Sequence, residues 1–113
     1  MRVIIAGSRT IHRYDILLEM IEECGWNITT VLSGGAKGVD ALGERYADEM
    51  NIKLEVYPAD WKKHGKAAGP IRNRMMAERA DGLIAIMDGY SRGTGNMIET
   101  AAKLGLPNIW RSI

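Results

Sequence analysis

The chain has little cysteine, little net charge and no long apolar run, and each shortage excludes a class of protein. Its 113 residues contain one cysteine, Cys24, which excludes an internal disulfide and a zinc site built from cysteines. The formal net charge of +1 is too small for the broad basic face that a nucleic-acid binder usually carries. No apolar run approaches transmembrane length, and the first residues lack a signal-peptide pattern. We therefore expect a cytoplasmic protein with no membrane partner.

The composition predicts a folded chain with one core. Hydrophobic residues make up 46% of the sequence, which is enough for a core and too much for a disordered chain. The length, without repeats or low-complexity segments, predicts one domain over residues 1–113. Cys24 falls on the apolar face of a helical pattern and is expected to be a small buried hydrophobe. No group of carboxylates has the spacing of a metal site, so we assign no metal ligand.

Apolar runs with strand character alternate with segments of helical periodicity along the chain. The predicted strands are residues 3–6, 29–32, 54–57, 82–87 and 108–110, with a helix between each pair. This alternation predicts a single Rossmann-like three-layer α/β/α domain with a mostly parallel five-stranded sheet. Because crossovers are nearly always right-handed, the loops that follow the strands open on one edge of the sheet, where such folds bind ligands.

Two glycine-rich turns each stand between an apolar run and a helical pattern, over residues 33–40 and 88–96. Glycine permits positive φ angles and close approach to a ligand. A helix that begins at such a turn offers unpaired N–H groups and the positive end of its dipole, which together favour phosphate. The first turn is neither a P-loop nor the dinucleotide fingerprint. The two turns together predict a nucleotide or another phosphorylated ligand.

Loops at this edge contain the candidate ligand-binding residues. In the loop of residues 7–10, Arg9 has the planar guanidinium that pairs with phosphate through two hydrogen bonds. Lys37 could pair with phosphate or remain a solvated loop lysine, and Asp40 could bind a ribose or cap the following helix. The full set of candidates is Gly7, Ser8, Arg9, Thr10, Gly34, Gly35, Lys37, Asp40, Gly93, Thr94, Gly95 and Asn96.

Residues 58–70 form a long connection for an α/β fold. They include Trp61, Lys62, Lys63 and His64, an aromatic residue followed by basic ones. We interpret the segment either as a mobile flap that closes over an anionic ligand or as a solvated charged loop. The next helix is expected to carry Arg72 in its first turn, near the loop edge.

At these motifs the chain resembles the SLOG superfamily, which includes Smf/DprA-type DNA-processing proteins and LOG-type phosphoribohydrolases. Residues 33–40 are similar to the S-G-G-A-x-G-[IV]-D motif of the Smf-like members. Residues 72–81 resemble the R-K-x-x-M…A-D stretch of LOG enzymes, and residues 93–99 resemble their P-G-G-x-G-T-x-x-E motif. Residues 7–9 match the opening turn of the YspA-like, YpsA-related branch, which the chain resembles most.

The resemblance implies a Rossmann-like domain that binds nucleotides or nucleotide-derived ligands. In LOG enzymes an Arg and a Glu of these motifs cleave the N-glycosidic bond of a nucleoside monophosphate, so the resemblance assigns those catalytic roles to Arg72 and Glu99. Two positions depart from the LOG pattern. Asn73 stands where those enzymes have Lys, and Glu99 lies two residues further from Thr94.

The residues and the resemblance leave three functions open. The leading interpretation is a module that binds a nucleotide as a sensor or a sequestering protein. The alternatives are a nucleoside 5′-monophosphate N-glycosidase that uses Arg72 and Glu99, and a protein that binds single-stranded DNA. Related members commonly pair through helices that flank the site, so a homo-oligomer could form through Met75, Met76 and Met97.

Overall fold

The structure is a computed structural model that describes residues 1–113. Strands and helices alternate throughout, because buried apolar runs are followed by segments with apolar residues at helical spacing. The strands are β1 (Arg2–Gly7), β2 (Thr30–Ser33), β3 (Lys53–Val56), β4 (Gly82–Met87) and β5 (Asn108–Ser112). The helices are α1 (Tyr14–Cys24), α2 (Val39–Glu49), α3 (Trp61–His64), α4 (Ala68–Arg79) and α5 (Arg92–Lys103), with a 3₁₀ turn at Gly65–Ala67.

The five strands form one sheet in the order β3-β2-β1-β4-β5, and every neighbouring pair is parallel. The chain moves outward from β1 to β3 and then crosses to β4 on the other side of β1. The strand order therefore reverses between β1 and β4, which is the point where open α/β sheets bind ligands. The Rossmann-like α/β fold predicted from the sequence is confirmed, with strand boundaries within two residues of those expected.

Both faces of the sheet are buried, as a parallel sheet covered by helices on each side requires. In β1, Val3 and Ile5 belong to the core that includes residues of α1 and α2, whereas Ile4 and Ala6 belong to the core that includes residues of α4 and α5. All six residues of β4 are buried. Burying an aliphatic side chain of this size contributes about 1.5–3 kcal/mol, so the two central strands hold the layers together.

Gly25 behaves as expected from the sequence, whereas Cys24 packs on the core but is only partly buried. Cys24 is half-buried against the core of α1 and α2, and its Sγ lies 3.2 Å from the Ile21 carbonyl oxygen, to which it donates. Gly25 ends α1 in the left-handed conformation, at φ 65°.

The longest helices, α4 and α5, have 12 residues each. No helix combines the length and the apolar composition needed to cross a membrane.

Residues 58–70, expected as one long loop, are instead largely helical. Asp60 begins α3 by accepting a hydrogen bond from the Lys63 amide at 3.0 Å, and the 3₁₀ turn leads directly into α4. Pro70 lies in the first turn of α4, where its missing N–H costs nothing. Because α4 starts at Ala68, Arg72 lies in its second turn rather than its first.

Two of the three methionines proposed for a contact between copies are part of the core. Met76 and Met97 are each 1% exposed and pack together with residues of β1 and β4. Met75 is 40% exposed, because it lies on the opposite side of α4 from the sheet. The expectation that Met76 and Met97 form an interface is therefore wrong, since the core already covers both side chains.

We expect Gly38→Ala to lower the free energy of unfolding by at least about 2 kcal/mol. Gly38 has φ +73°, and a Cβ there would overlap the Ser8 carbonyl oxygen and the Arg9 backbone. Gly25→Ala is the control for a positive φ in open space, because Gly25 has φ +65° and ψ 17° and no atom within 4 Å of an added Cβ. At Gly38 the overlap adds to the strain of a ψ of −128° at positive φ. Urea denaturation measures both variants. An equal loss in the two would show that the close approach of the loops costs nothing.

Candidate cleft at the reversal of strand order

A cleft of about 1010 Å³ opens at the carboxyl edge of the sheet, over the ends of β1 and β4. It is formed by the loops after β1, β2 and β4, together with α3, the 3₁₀ turn and the first two turns of α4 and α5. The predicted ligand-binding residues that line it are Gly7, Ser8, Arg9, Thr10, Asp40, Gly93, Thr94 and Asn96. These residues come from distant parts of the chain, and the parallel topology brings them to one place.

A smaller side pocket of about 210 Å³ adjoins the cleft near the ends of β2 and β3. Gly34 and Gly35 line this side pocket, and Arg9, Trp61 and Arg72 line both spaces. Gly35 has φ +77°, as expected for a glycine that the backbone conformation requires. Gly34 has an ordinary φ, but a Cβ there would lie within 3 Å of the Arg72 side chain. Gly34 therefore allows the backbone to approach the Arg72 side chain rather than a ligand.

Several predicted site residues lie outside both spaces. Of the proposed flap residues, Trp61 lines the cleft, whereas Lys62, Lys63 and His64 do not. The reason is the helical conformation of α3, which turns successive side chains to different sides. Lys37 is exposed and lines neither space. Gly95 packs against the ring of Tyr90, since a Cβ added to Gly95 would lie 3.1 Å from Cε2 of that ring. Gly95 lines neither space.

Glu99 lines neither of the two spaces that Arg72 borders, contrary to the expectation for a catalytic pair. Helix α5 begins at Arg92, so Glu99 is in its eighth position, about 10 Å along the axis from the start. Its Oε1 lies 3.1 Å from Nζ of Lys103, one turn further on, and its side chain is 66% exposed. The two extra residues after Thr94 have turned this carboxylate toward solvent, and it lines neither the cleft nor the side pocket.

Arg72 is a half-buried cation held by uncharged groups. Its Nη1 donates to the carbonyl oxygens of Gly34 at 2.8 Å and Tyr57 at 3.3 Å, and its Nε donates to Oδ1 of Asn73 at 3.0 Å. No carboxylate lies within ion-pair distance of it, and Nη2 makes no hydrogen bond within the protein. Burial lowers the pKa of Arg72, and the charge of Asp40 opposes that shift. The guanidinium is thus held by uncharged groups, with the charge of Asp40 nearby but not in direct contact.

Asp40 closes the glycine-rich turn before α2. Its Oδ2 accepts a hydrogen bond from the Ala36 amide at 3.2 Å, and the residue is 6% exposed. Burial raises the pKa of Asp40, while the Ala36 hydrogen bond and the charge of Arg72 act in the opposite direction. The helix cap weighed from the sequence is not formed, because α2 begins after Gly38 without a side-chain cap and Asp40 instead bonds the turn that precedes the helix. Contact with a ribose stays a prediction.

Asn73 joins the two helices that border the cleft. Its Nδ2 donates to the Gly93 carbonyl oxygen at 3.2 Å and to Oδ1 of Asn96 at 3.0 Å. Its own Oδ1 accepts from Arg72, so one amide links the arginine of α4 to the first turn of α5. The sequence analysis missed this role. The available signal was a polar residue on the buried face of α4, where the related LOG pattern has lysine.

The first turn of α5 faces the cleft, and the side chain of Ser91 caps this helix. The Thr94 amide donates to Oγ of Ser91 at 3.4 Å, and that hydroxyl donates to Oγ1 of Thr94 at 3.0 Å. Across the cleft, the Asp88 amide donates to Oγ of Ser8 at 2.9 Å, which ties the loop after β4 to the loop after β1. N–H groups at the start of a helix have no partner within the helix, so this turn favours an anion.

Basic side chains outnumber acidic ones around the cleft. The basic residues are Arg9, Lys66 and Arg92, which are exposed at its rim, and Arg72, which lies deeper. The acidic residues are Asp40 and Asp88. The polar and aromatic lining residues absent from the sequence-based set are Lys66, Asn73, Asp88, Tyr90, Ser91 and Arg92. All except Asn73 lie in residues 58–70 or in the glycine-rich turn of residues 88–96, so position in these segments was the available signal. No group of three His, Cys, Asp or Glu side chains comes together to hold a metal ion.

Asp40→Asn is expected to raise the free energy of unfolding at pH 7. Because burial raises the pKa of Asp40, the charged carboxylate costs more in the folded protein than in the unfolded one. That cost is absent below about pH 4, where the carboxyl is protonated in both states, and it develops as the pH rises. Urea denaturation across this range measures the gain, which should disappear at the acidic end.

Glu55→Gln is the matched control with the opposite sign. Nη2 and Nη1 of Arg2 donate to Oε1 and Oε2 of Glu55 at 2.7 and 2.9 Å. These bonds, with one from the Tyr57 hydroxyl, lower the pKa of Glu55 to about 2. The charged form therefore stabilises the folded protein above the ordinary glutamate pKa, and this stabilisation is lost as the pH falls toward about 2. Losing stability at pH 7 in both variants would contradict the assignment for Asp40.

Two comparisons with known proteins agree with this architecture. The profile of the family described as "YspA, cpYpsA-related SLOG family" matches residues 1–64, which include β1, β2 and the glycine-rich turn of residues 33–40. The Gene 61 protein of Mycobacterium phage D29 is 35% identical over 118 residues, covering 96% of this chain and 94% of that protein. The resemblance expected from the motifs is thereby confirmed, and the chain belongs to the YspA, cpYpsA-related SLOG family.

Proposed function

We propose that residues 1–113 form one domain that binds a nucleotide, or a nucleotide-derived phosphorylated ligand, as a sensor or sequestering module. The observation that carries this proposal is the half-buried guanidinium of Arg72 at the border of the cleft and the side pocket, which no carboxylate contacts and whose Nη2 has no hydrogen-bond partner in the protein. Family membership supports a nucleotide-related function.

The bonding of Arg72 favours an anionic ligand. Taking a charge out of water is costly unless an opposite charge or several hydrogen bonds compensate for it. Its Nε and Nη1 are occupied by an amide and two carbonyl oxygens, which leaves Nη2 for a ligand. A phosphate oxygen there would place a negative charge in direct contact with the guanidinium through a charge-assisted hydrogen bond.

A second positive region lies on the other side of the cleft. The first turn of α5 contributes unpaired N–H groups near Gly93, and the guanidinium of Arg92 stands at the same end of the helix. Arg9 borders both spaces from the loop after β1. A ligand that carries phosphate and sugar would meet positive charge on two sides of the cleft, which suits a nucleotide better than a neutral metabolite.

The N-glycosidase alternative needs Arg72 and a glutamate to act on one sugar. Glu99 pairs with Lys103 outside the cleft, so the residue that the LOG pattern assigns to this role is not available there. Binding of single-stranded DNA needs many phosphate contacts, and a net charge of +1 offers little excess for them. Neither alternative has a specific observation in its favour, and we propose binding without hydrolysis.

Arg72→Ala and Arg92→Ala are expected to weaken nucleotide binding. Losing a charge-assisted hydrogen bond costs about 1–3 kcal/mol, which corresponds to an affinity about 5- to 150-fold lower. Isothermal titration with the common nucleoside 5′-monophosphates measures the effect. Arg74→Ala is the matched control, because Arg74 lies on the same helix as Arg72 but is exposed and pairs with Glu78 at 3.9 Å. Unchanged affinity in both Arg72 and Arg92 variants would overturn the proposed site.

The binding function also predicts that incubation with nucleoside 5′-monophosphates releases no free base. Chromatography of the reaction measures the base, and Glu99→Gln should bind these compounds with the affinity of the unaltered protein. Release of base by the unaltered protein that disappears in Glu99→Gln would restore the N-glycosidase interpretation. Salt-dependent binding of an oligonucleotide, tested in parallel, would instead favour the DNA-binding alternative.

A further inference from the structure

Two large aromatic side chains stand exposed at the rim of the cleft. Trp61 is 54% exposed and Tyr90 is 76% exposed, and both line the cleft. They come from separate parts of the chain, the start of α3 and the loop between β4 and α5. An exposed aromatic ring within a binding cleft offers a flat apolar surface whose contact with water is unfavourable. Two of them in one cleft indicate contact with a ligand that has a flat apolar part.

Each ring lies against a glycine in the first turn of a neighbouring helix. A Cβ on Gly95 would come within 3.0 Å of the Tyr90 hydroxyl oxygen, and a Cβ on Gly69 would lie 3.4 Å from Cη2 of Trp61. Neither glycine has a positive φ, so the backbone conformation does not require it. Glycine costs about 1 kcal/mol relative to alanine within a helix. At Gly95 the absent side chain instead leaves room for the phenol ring.

Trp61 also stands at a helix start that a hydrogen bond holds in place. It is the first residue of α3, which Asp60 caps through its carboxylate bond to the Lys63 amide at 3.0 Å. The indole borders both the cleft and the side pocket, as the guanidinium of Arg72 does. A planar group that lies on this ring would therefore be near the cation that we assign to phosphate.

We propose that Trp61 and Tyr90 form a stacking surface for a nucleobase at the rim of the cleft. The inference rests on the proposed nucleotide-binding function and narrows it to ligands that carry an aromatic base. An inorganic phosphate or a sugar phosphate has no flat apolar face for these rings. A purine or pyrimidine stacks on aromatic side chains whatever its hydrogen-bonding pattern, so the rings supply affinity for bases in general.

The test compares nucleoside 5′-monophosphates with ribose 5-phosphate, which lacks only the base. Isothermal titration should show that the unaltered protein binds at least one nucleoside monophosphate more tightly than ribose 5-phosphate. Trp61→Ala or Tyr90→Ala should weaken binding of that nucleotide at least about fivefold, as expected for the loss of one stacking contact. Neither substitution should change the affinity for ribose 5-phosphate.

Three further variants serve as controls. Trp61→Phe and Tyr90→Phe keep a ring, so they should retain most of the base-dependent affinity. Trp110→Ala removes an equally large side chain that is 50% exposed on β5 and lines neither the cleft nor the side pocket, so it should have no effect.

The outcomes separate this inference from the function on which it rests. Equal affinity for ribose 5-phosphate and every nucleotide would overturn the stacking surface and leave the phosphate site standing. The stacking surface would also be overturned if Trp61→Ala and Tyr90→Ala both kept the full preference for nucleotides over ribose 5-phosphate. Binding of none of these compounds would overturn the proposed function, and the stacking surface with it.

Discussion

Ser8 holds together the loops that form the cleft. Its amide donates to the Ile86 carbonyl oxygen at 3.0 Å, and its own carbonyl oxygen accepts from the Val39 amide at 3.2 Å. Its hydroxyl accepts from the Asp88 amide at 2.9 Å. One residue at the end of β1 therefore contacts β4, the start of α2 and the loop after β4. Such contacts require the backbones to come very close, which is why Gly7 and Gly38 flank this point and neither has room for a Cβ.

The hydrogen bonds between these loops bear on what the cleft can bind. A site whose backbone is already ordered loses little conformational entropy when a ligand enters, so its affinity depends mainly on the contacts made. Arg72 and Asn73 extend the same principle to side chains, because carbonyl and amide partners hold both in place without a ligand. The cleft therefore presents a fixed positive charge between two ordered helix starts, which is the arrangement that anion recognition favours.

The sequence predicted the fold well because the fold depends on repeated, local patterns. Buried apolar runs and helical spacing identified every strand and the four long helices, and the parallel topology then placed four loops at one edge. The short helix α3 was missed because four residues carry no periodic signal, although Asp60 caps it through its side chain. Asn73 and Glu99 were misjudged for a different reason. Their surroundings depend on where α4 and α5 begin and how those helices pack, which no local pattern determines.

The glycines show why a motif alone does not identify a contact with the ligand. Gly35 and Gly38 have backbone conformations that other residues rarely adopt. Gly34 makes room for Arg72, and Gly95 makes room for Tyr90. In these last two places the glycine positions a protein side chain, and that side chain has the chemistry that a nucleotide could use. The glycine-rich turns of this chain thus have two separable functions, shaping the loop and admitting a neighbouring group. The second function explains how a chain with almost no net charge gathers a guanidinium and aromatic rings around one cleft.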